Sequence, residues 1–122
     1  MEKPTNPLTA TVRTNGQLAV IDMVGDIDGF ADATLEKAYA TAEDSGAAAI
    51  LLNFVDVDYI NSTGIALIVG LLAKARMAHK QLMTCGLSEH YQEIFTITRL
   101  SDFMSLYPDE ASALKNVAAT AA

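Results

Sequence analysis

Apolar residues in this chain fall into short blocks separated by glycines and polar pairs. Leu8 to Thr14 alternates weakly and predicts an edge strand, Asn15-Gly16 is a two-residue hairpin signal, and Leu18 to Val24 follows as a second strand ending at Gly25-Asp26-Ile27-Asp28-Gly29. Phe30 to Asp44 has helical spacing, with Phe30, Leu35, Ala38, Tyr39 and Ala42 as inner positions, and Ser45-Gly46 stops it. Ala48 to Val55 is a short apolar run that suits a strand covered on both faces, followed by an acidic turn containing Asp56 and Asp58. A helix is predicted over Gly64 to His79 and a strand over Gln81 to Gly86. Ser88 caps a helix running to about Thr98, Phe103 to Leu106 is a last short strand, and Pro108-Asp109-Glu110 opens a terminal helix. The order β-β-α-β-α-β-α-β-α implies a single α/β domain, a mixed β-sheet with helices packed against it. Residues 1–7, with two prolines, are expected to be a flexible lead-in, 8–116 the domain, and the Ala-rich 117–122 a frayed tail.

The segment Ile60-Asn61-Ser62-Thr63-Gly64 sets two adjacent hydroxyls where a buried strand ends and a helix begins. A helix start carries partial positive charge and unpaired N–H groups, so an anion is tolerated there. With Ile65 at zero on a helical wheel, Ile65, Ile68, Val69, Leu71 and Leu72 form a broad inner arc, while Ala66, Gly70, Ala73 and Met77 gather about 110° away. Extrapolated backwards, Thr63 projects to about 160°, beside the small-residue face, and Ser62 to about 60°, nearer the inner arc. Gly70 costs about 1 kcal/mol relative to Ala in mid-helix, so either a neighbouring helix of the same chain or a partner's backbone approaches it. The expectation is a switch: Thr63 accepts a phosphate at the rim of the Ala66, Gly70, Ala73 face, and Ser62 caps or satisfies the turn.

Composition narrows the partner class. At 122 residues with 51% hydrophobic and 19% charged, the chain buries a real core and is one globular domain. The net charge of −7, with eight dispersed basic residues, argues against nucleic acid as the main ligand and favours a basic protein partner. The longest apolar-plus-glycine run, Gly64 to Ala73, is about half of what a membrane span needs, and the first seven residues lack the apolar core of a signal peptide, so a cytoplasmic protein without membrane insertion is expected. The lone Cys85 lies in an apolar strand and reads as an inert small hydrophobe.

Gly25-Asp26-Ile27-Asp28, Leu52-Asn53-Phe54 and Val57-Asp58-Tyr59-Ile60-Asn61-Ser62-Thr63-Gly64-Ile65, followed by Leu82 to Ser88, Ile94 to Leu100 and Glu110-Ala111, together resemble the STAS domain (sulfate transporter and anti-sigma factor antagonist) over roughly Leu8 to Leu114. The resemblance is to stand-alone anti-sigma factor antagonists. It implies an anti-sigma factor with kinase activity that phosphorylates a hydroxyl, a PP2C-type phosphatase that reverses it, and partner switching in transcription regulation and signal transduction. Carried onto this chain, the acceptor is Thr63, where serine is commoner, Ser62 is the first hydroxyl, Asn61 takes the usual acidic position, and Asp28, with Asp26 before it, is the acidic residue after the second strand. The partner-binding set is thus Asp26, Asp28, Asn61, Ser62, Thr63, Ala66, Gly70 and Ala73. The alternative role is a STAS subunit of an ABC-type lipid transport system or a scaffold member of a stress-sensing complex.

Enzymatic readings have weaker support. A serine hydrolase needs a base near Ser62, but His79 lies 17 residues along the same predicted helix, about 25 Å away, and His90 starts another. Asp56 and Asp58 as metal ligands lack a neighbouring third donor, and no Walker loop or Gly-x-Gly-x-x-Gly is present, so no metal, cofactor or catalytic residue is expected. Oligomeric state is left open by the sequence.

Overall fold

The computed structural model describes residues 6–121 and the side chains as far as Val117. Five strands form one sheet in the order β1-β2-β3-β4-β5: β1 (Thr9–Asn15), β2 (Leu18–Ile27), β3 (Ala49–Ile60), β4 (Gln81–Cys85) and β5 (Ser105–Tyr107). The β1–β2 pair is an antiparallel hairpin and the remaining pairs are parallel, joined by α1 (Asp32–Asp44), α2 (Ser62–Met77) and α3 (Glu89–Ile97), with α4 (Glu110–Ala121) closing the chain. The expected order and mixed sheet are therefore observed. The hairpin register pairs Asn15 with Leu18, so its loop is Gly16-Gln17, one residue later than the Asn15-Gly16 signal placed it.

Period-two alternation divides the strands between two cores. Ala19, Ile21, Met23, Ile50, Leu52, Phe54 and Leu82 point to one face, where they meet Leu35, Tyr39 and Ala42 of α1, Ile68, Leu71 and Leu72 of α2, and Phe95 of α3. Leu18, Val20, Ala49, Leu51, Met83 and Cys85 point to the other, under Ala113 and Val117 of α4. The central strand is covered on both faces, as its unbroken apolar run predicts. Burial pushes the Cys85 thiol up to about 11, in keeping with an inert strand cysteine.

Several sequence expectations need correction. β3 does not turn at Asp56–Asp58 but stays extended to Ile60, because β2 continues beside it to Ile27 through two register shifts. Phe30 is 52% exposed rather than inward, since Gly29–Ala31 forms a 3-10 turn before α1 begins. Val69 is 45% exposed and lies outside the packed arc of α2. The expected frayed tail is helical to Ala121, with Val117 buried in the second core; residue 122 lies outside the described residues. Of the expected loose lead-in, residues 1–5 also lie outside them, while Asn6 is docked: its carbonyl accepts from the Asp26 N–H at 2.9 Å and its amide donates to Asp58 at 2.6 Å. Gly25 permits that crossing, because a Cβ there would come within 2.6 Å of the Pro7 carbonyl oxygen and its φ of +112° is one that side chains rarely adopt.

Candidate functional site

Beyond Asn53, β3 loses β4 as a neighbour and pairs with β2 alone, so its last residues project past the sheet toward the hydroxyl junction. Three long-range contacts fix that projection. The Tyr91 phenol of α3 accepts from the Ile60 N–H at 2.8 Å. The Ile27 carbonyl at the end of β2 accepts from the Asn61 N–H at 3.2 Å. Gly64 then lies directly on β2: a Cβ there would stand 2.0 Å from the Ile27 carbonyl oxygen, so no side chain fits and the start of α2 is pinned to the sheet. Tyr91 was absent from the expected site, although an aromatic with a hydroxyl at the helix start beside a strand end is the kind of residue that supplies such a bond.

Asn61, in extended conformation, is the N-cap of α2, and its side-chain oxygen accepts from the Gly64 N–H at 2.8 Å. This corrects the capping role expected for Ser62. Ser62 and Thr63 are instead the first two helical residues, both exposed, and neither hydroxyl is engaged by another described residue. Thr63 faces the turn after β2: a Cβ built on Gly29 would lie 3.5 Å from the Thr63 methyl. Asp28, the residue before Gly29, caps the 3-10 turn by accepting from the Phe30 N–H at 2.9 Å. Asp26 is half-buried and held through its backbone by Asn6. The structure thus brings Asp28, Asn61, Ser62 and Thr63 together.

The other helices mark what is unusual about α2. Each has an acidic residue in its first turn: Asp32 in α1, Glu89 in α3 and Glu110 in α4. In α2 there is none, while Lys74 and Arg76 occupy the last turn. The positive end of the α2 dipole is therefore uncompensated by any charged side chain of its own first turn, where a bound or covalent anion is favoured.

Ala66, Gly70 and Ala73 are all exposed along α2, and a Cβ on Gly70 would meet nothing within 4 Å. Among the described residues, no other helix packs against Gly70. Ala73 stands ten residues beyond Thr63, about 15 Å along the axis, so this face runs away from the hydroxyls rather than clustering with them. His90 is exposed in the first turn of α3, and His79 follows the far end of α2. Asp58 is taken up by Asn6, and no group of three or more potential metal ligands occurs among the described residues.

A five-stranded mixed sheet with three helices on one face and one on the other, presenting two exposed hydroxyls at a capped helix start, defines a small α/β domain. The chain belongs to the STAS domain family, whose model matches residues 9–113. The anti-sigma-B factor antagonist of Staphylococcus aureus (strain NCTC 8325 / PS 47) is 29% identical over 97 residues, 80% of this chain and 90% of its own. That of Staphylococcus epidermidis is 30% identical over 91 residues, 75% of this chain and 84% of its own. Among solved structures, an anti-sigma factor antagonist from Mycobacterium paratuberculosis aligns with a TM-score of 0.77 at 20% identity, covering 90% of this chain and 93% of its own. The Bacillus cell fate determinant SpoIIAA in its phosphorylated form aligns with a TM-score of 0.67 at 21% identity, covering 89% and 99%. At these identities the solved structures establish the shared fold. No helix among the described residues is long and apolar enough to cross a membrane.

Proposed function

We propose that this protein is an anti-sigma factor antagonist that docks its partner on the open face of α2 and is released by phosphorylation of Thr63. The observation that carries the reading is the start of α2: two exposed, unengaged hydroxyls at a helix N-terminus with no acid in its first turn. The names of the staphylococcal relatives supply the partner class, an anti-sigma factor. Asp28 on the neighbouring turn and Asp26 near the end of β2 offer carboxylates for a basic patch of that partner, and Ala66, Gly70 and Ala73 offer a surface a backbone can approach closely.

In the switching step a kinase-type anti-sigma factor transfers the γ-phosphoryl group of ATP. A bond forms from the Thr63 hydroxyl oxygen to phosphorus, the bond to the bridging oxygen breaks, ADP leaves and the hydroxyl proton passes to a base of the kinase. The product carries about −1.5 to −2 charges. The helix terminus tolerates them, so the fold persists, while the rim of the docking face changes sign and bulk. A PP2C-type phosphatase restores the hydroxyl by hydrolysis. Thr63 is favoured over Ser62 because its side chain lies against the Gly29 turn, next to Asp28, so its phosphate stands between the two halves of the docking face.

Incubation with ATP and a kinase-type anti-sigma factor, followed by phosphosite mapping, tests the assignment. Phosphate is expected on Thr63 and not on Ser62. Thr63→Glu is expected to weaken binding of that partner at least ~100-fold with a melting temperature within ~2 °C of the parent. Unchanged affinity in Thr63→Glu overturns the switch. A stable complex with an ABC-type transport ATPase, indifferent to Thr63, transfers the protein to the transport role.

A further inference from the structure

The far end of α2 carries a second feature that the phosphorylation reading does not use. Between α2 and the 3-10 turn Leu100–Asp102 lies a groove of about 390 Å³. Leu72 and Leu100 form its buried floor, and Val69 and Phe103, 45% and 56% exposed, form its walls. At its mouth the Arg76 guanidinium sits 5.2 Å from the centre of the Phe103 ring, a cation–π distance, and makes no ion pair among the described residues. Arg99, in left-handed conformation with φ of 68°, stands on the same rim and is paired with Asp102 at 2.9 Å. On a chain of net charge −7, two guanidinium groups thus frame an apolar groove, whereas the opposite end of α2 is bordered by the turn that Asp28 caps. The apolar floor and walls need an apolar stripe, and the cationic mouth selects flanking carboxylates.

We infer that this groove binds an acidic amphipathic helix of the partner protein, its apolar stripe against Val69, Leu72 and Phe103 and its carboxylates on Arg76 and Arg99. Val69 to Arg76 spans two turns of α2, about 10 Å, enough for two successive anchor positions of a docked helix. With an acidic border at one end of α2 and a cationic one at the other, a partner that is basic where it meets Asp28 and acidic where it meets Arg76 can dock in one direction only. The inference extends the docking reading above, and its test involves neither a kinase nor Thr63, so the two fail separately.

The probes are two labelled helical peptides of about four turns sharing one leucine stripe, flanked by glutamates in one and by lysines in the other. Fluorescence anisotropy is expected to show the glutamate peptide binding at least ~10-fold tighter, with affinity falling as salt is raised. Backbone amide shifts should map to Val69, Ala73, Arg99 and Phe103. Arg76→Glu should abolish the preference, and Arg76→Gln, which keeps most of the chain length without the charge, should reduce it if the reversal disturbs folding. Phe103→Ala should weaken both peptides together. Equal or tighter binding of the lysine peptide, no binding of either at millimolar concentration, or shifts confined to another face overturns the inference. So does a concentration-dependent dimer in ultracentrifugation that Arg76→Glu dissolves, since a second copy of the chain would then fill the groove.

Discussion

Two polar clusters flank the central strand β3, and they are finished in opposite ways. On the α4 side, the Arg13 guanidinium donates to Asp22 at 2.6 Å and to Glu110 at 2.8 Å, Asn15 donates to Glu110 at 2.7 Å, and Asn53 donates to Asp22 at 2.8 Å while its oxygen accepts from the Val55 N–H. Every one of these side chains is engaged, and together they tie β1, β2 and β3 to the first turn of α4. At the start of α2, Asn61 is likewise engaged as the cap, but the two hydroxyls after it have no partner among the described residues. Buried or half-buried polar groups that satisfy one another hold a structure together, whereas exposed hydroxyls left free beside an uncompensated helix end are available for a reaction. Asn53 has a role here that aspartate could not fill: its amide donates to Asp22, and a carboxylate in its place would face Asp22 without a donor between them.

The sharpest way to break this contrast is at Gly64. Gly64→Ala pushes a methyl group into the Ile27 carbonyl, so the junction must open, and a loss of more than about 3 kcal/mol in urea unfolding is expected. A loss below about 1 kcal/mol would mean that α2 shifts freely on the sheet, and the hydroxyls with it.

The α4 cluster should respond to acid. Hydrogen bonds from Arg13 hold the Asp22 and Glu110 carboxyls below their usual range, against the opposing effect of burial. Folded-state values below the unfolded ones mean that this stabilisation is complete above the unfolded carboxylate range, near pH 4, and disappears as pH falls through the folded values. Arg13 is nearly half exposed, so solvent screening limits the contribution of these pairs to about 1 kcal/mol. Arg13→Ala should lower stability at pH 7 by about that amount and flatten the acid limb of the stability profile below about pH 4. An acid limb as steep as the parent's would show that other carboxylates carry it.

The smallest effects separate the three residues of the junction itself. Asn61→Ala removes the cap and should cost about 1 kcal/mol, while Ser62→Ala should stay within about 0.5 kcal/mol. A Ser62 cost equal to that of Asn61 would restore the capping role to serine.

Much of this was legible along the chain. The Ser88 cap, the inner positions Leu35, Ala38, Tyr39 and Ala42, and the doubly covered strand at 49–54 follow from spacing and turn chemistry alone, and all are observed. Errors fell where a neighbour distant in sequence decided the outcome. Asp56 and Asp58 read as a turn because charged residues break an apolar run, but pairing with β2 keeps them extended. Val69 has the phase of a packed residue and is left at the wall of a groove because α3 and the following turn stop short of covering it. Ser62 is a good capping residue, yet Asn61 caps because its N–H is already held by Ile27.

The sequence by itself therefore determined the element order, the mixed sheet, the membership suggested by the motifs and the location of the hydroxyl pair. Those depend on periodicity and on residues a few positions apart, which a linear chain displays directly. Only the tertiary structure decided which polar groups are used up and which are free. Asn61 on Ile27, Thr63 beside Gly29 and Glu110 on Arg13 join residues 34 to 97 positions apart, and hydrogen-bond satisfaction and exposure are properties of those pairs rather than of either residue alone.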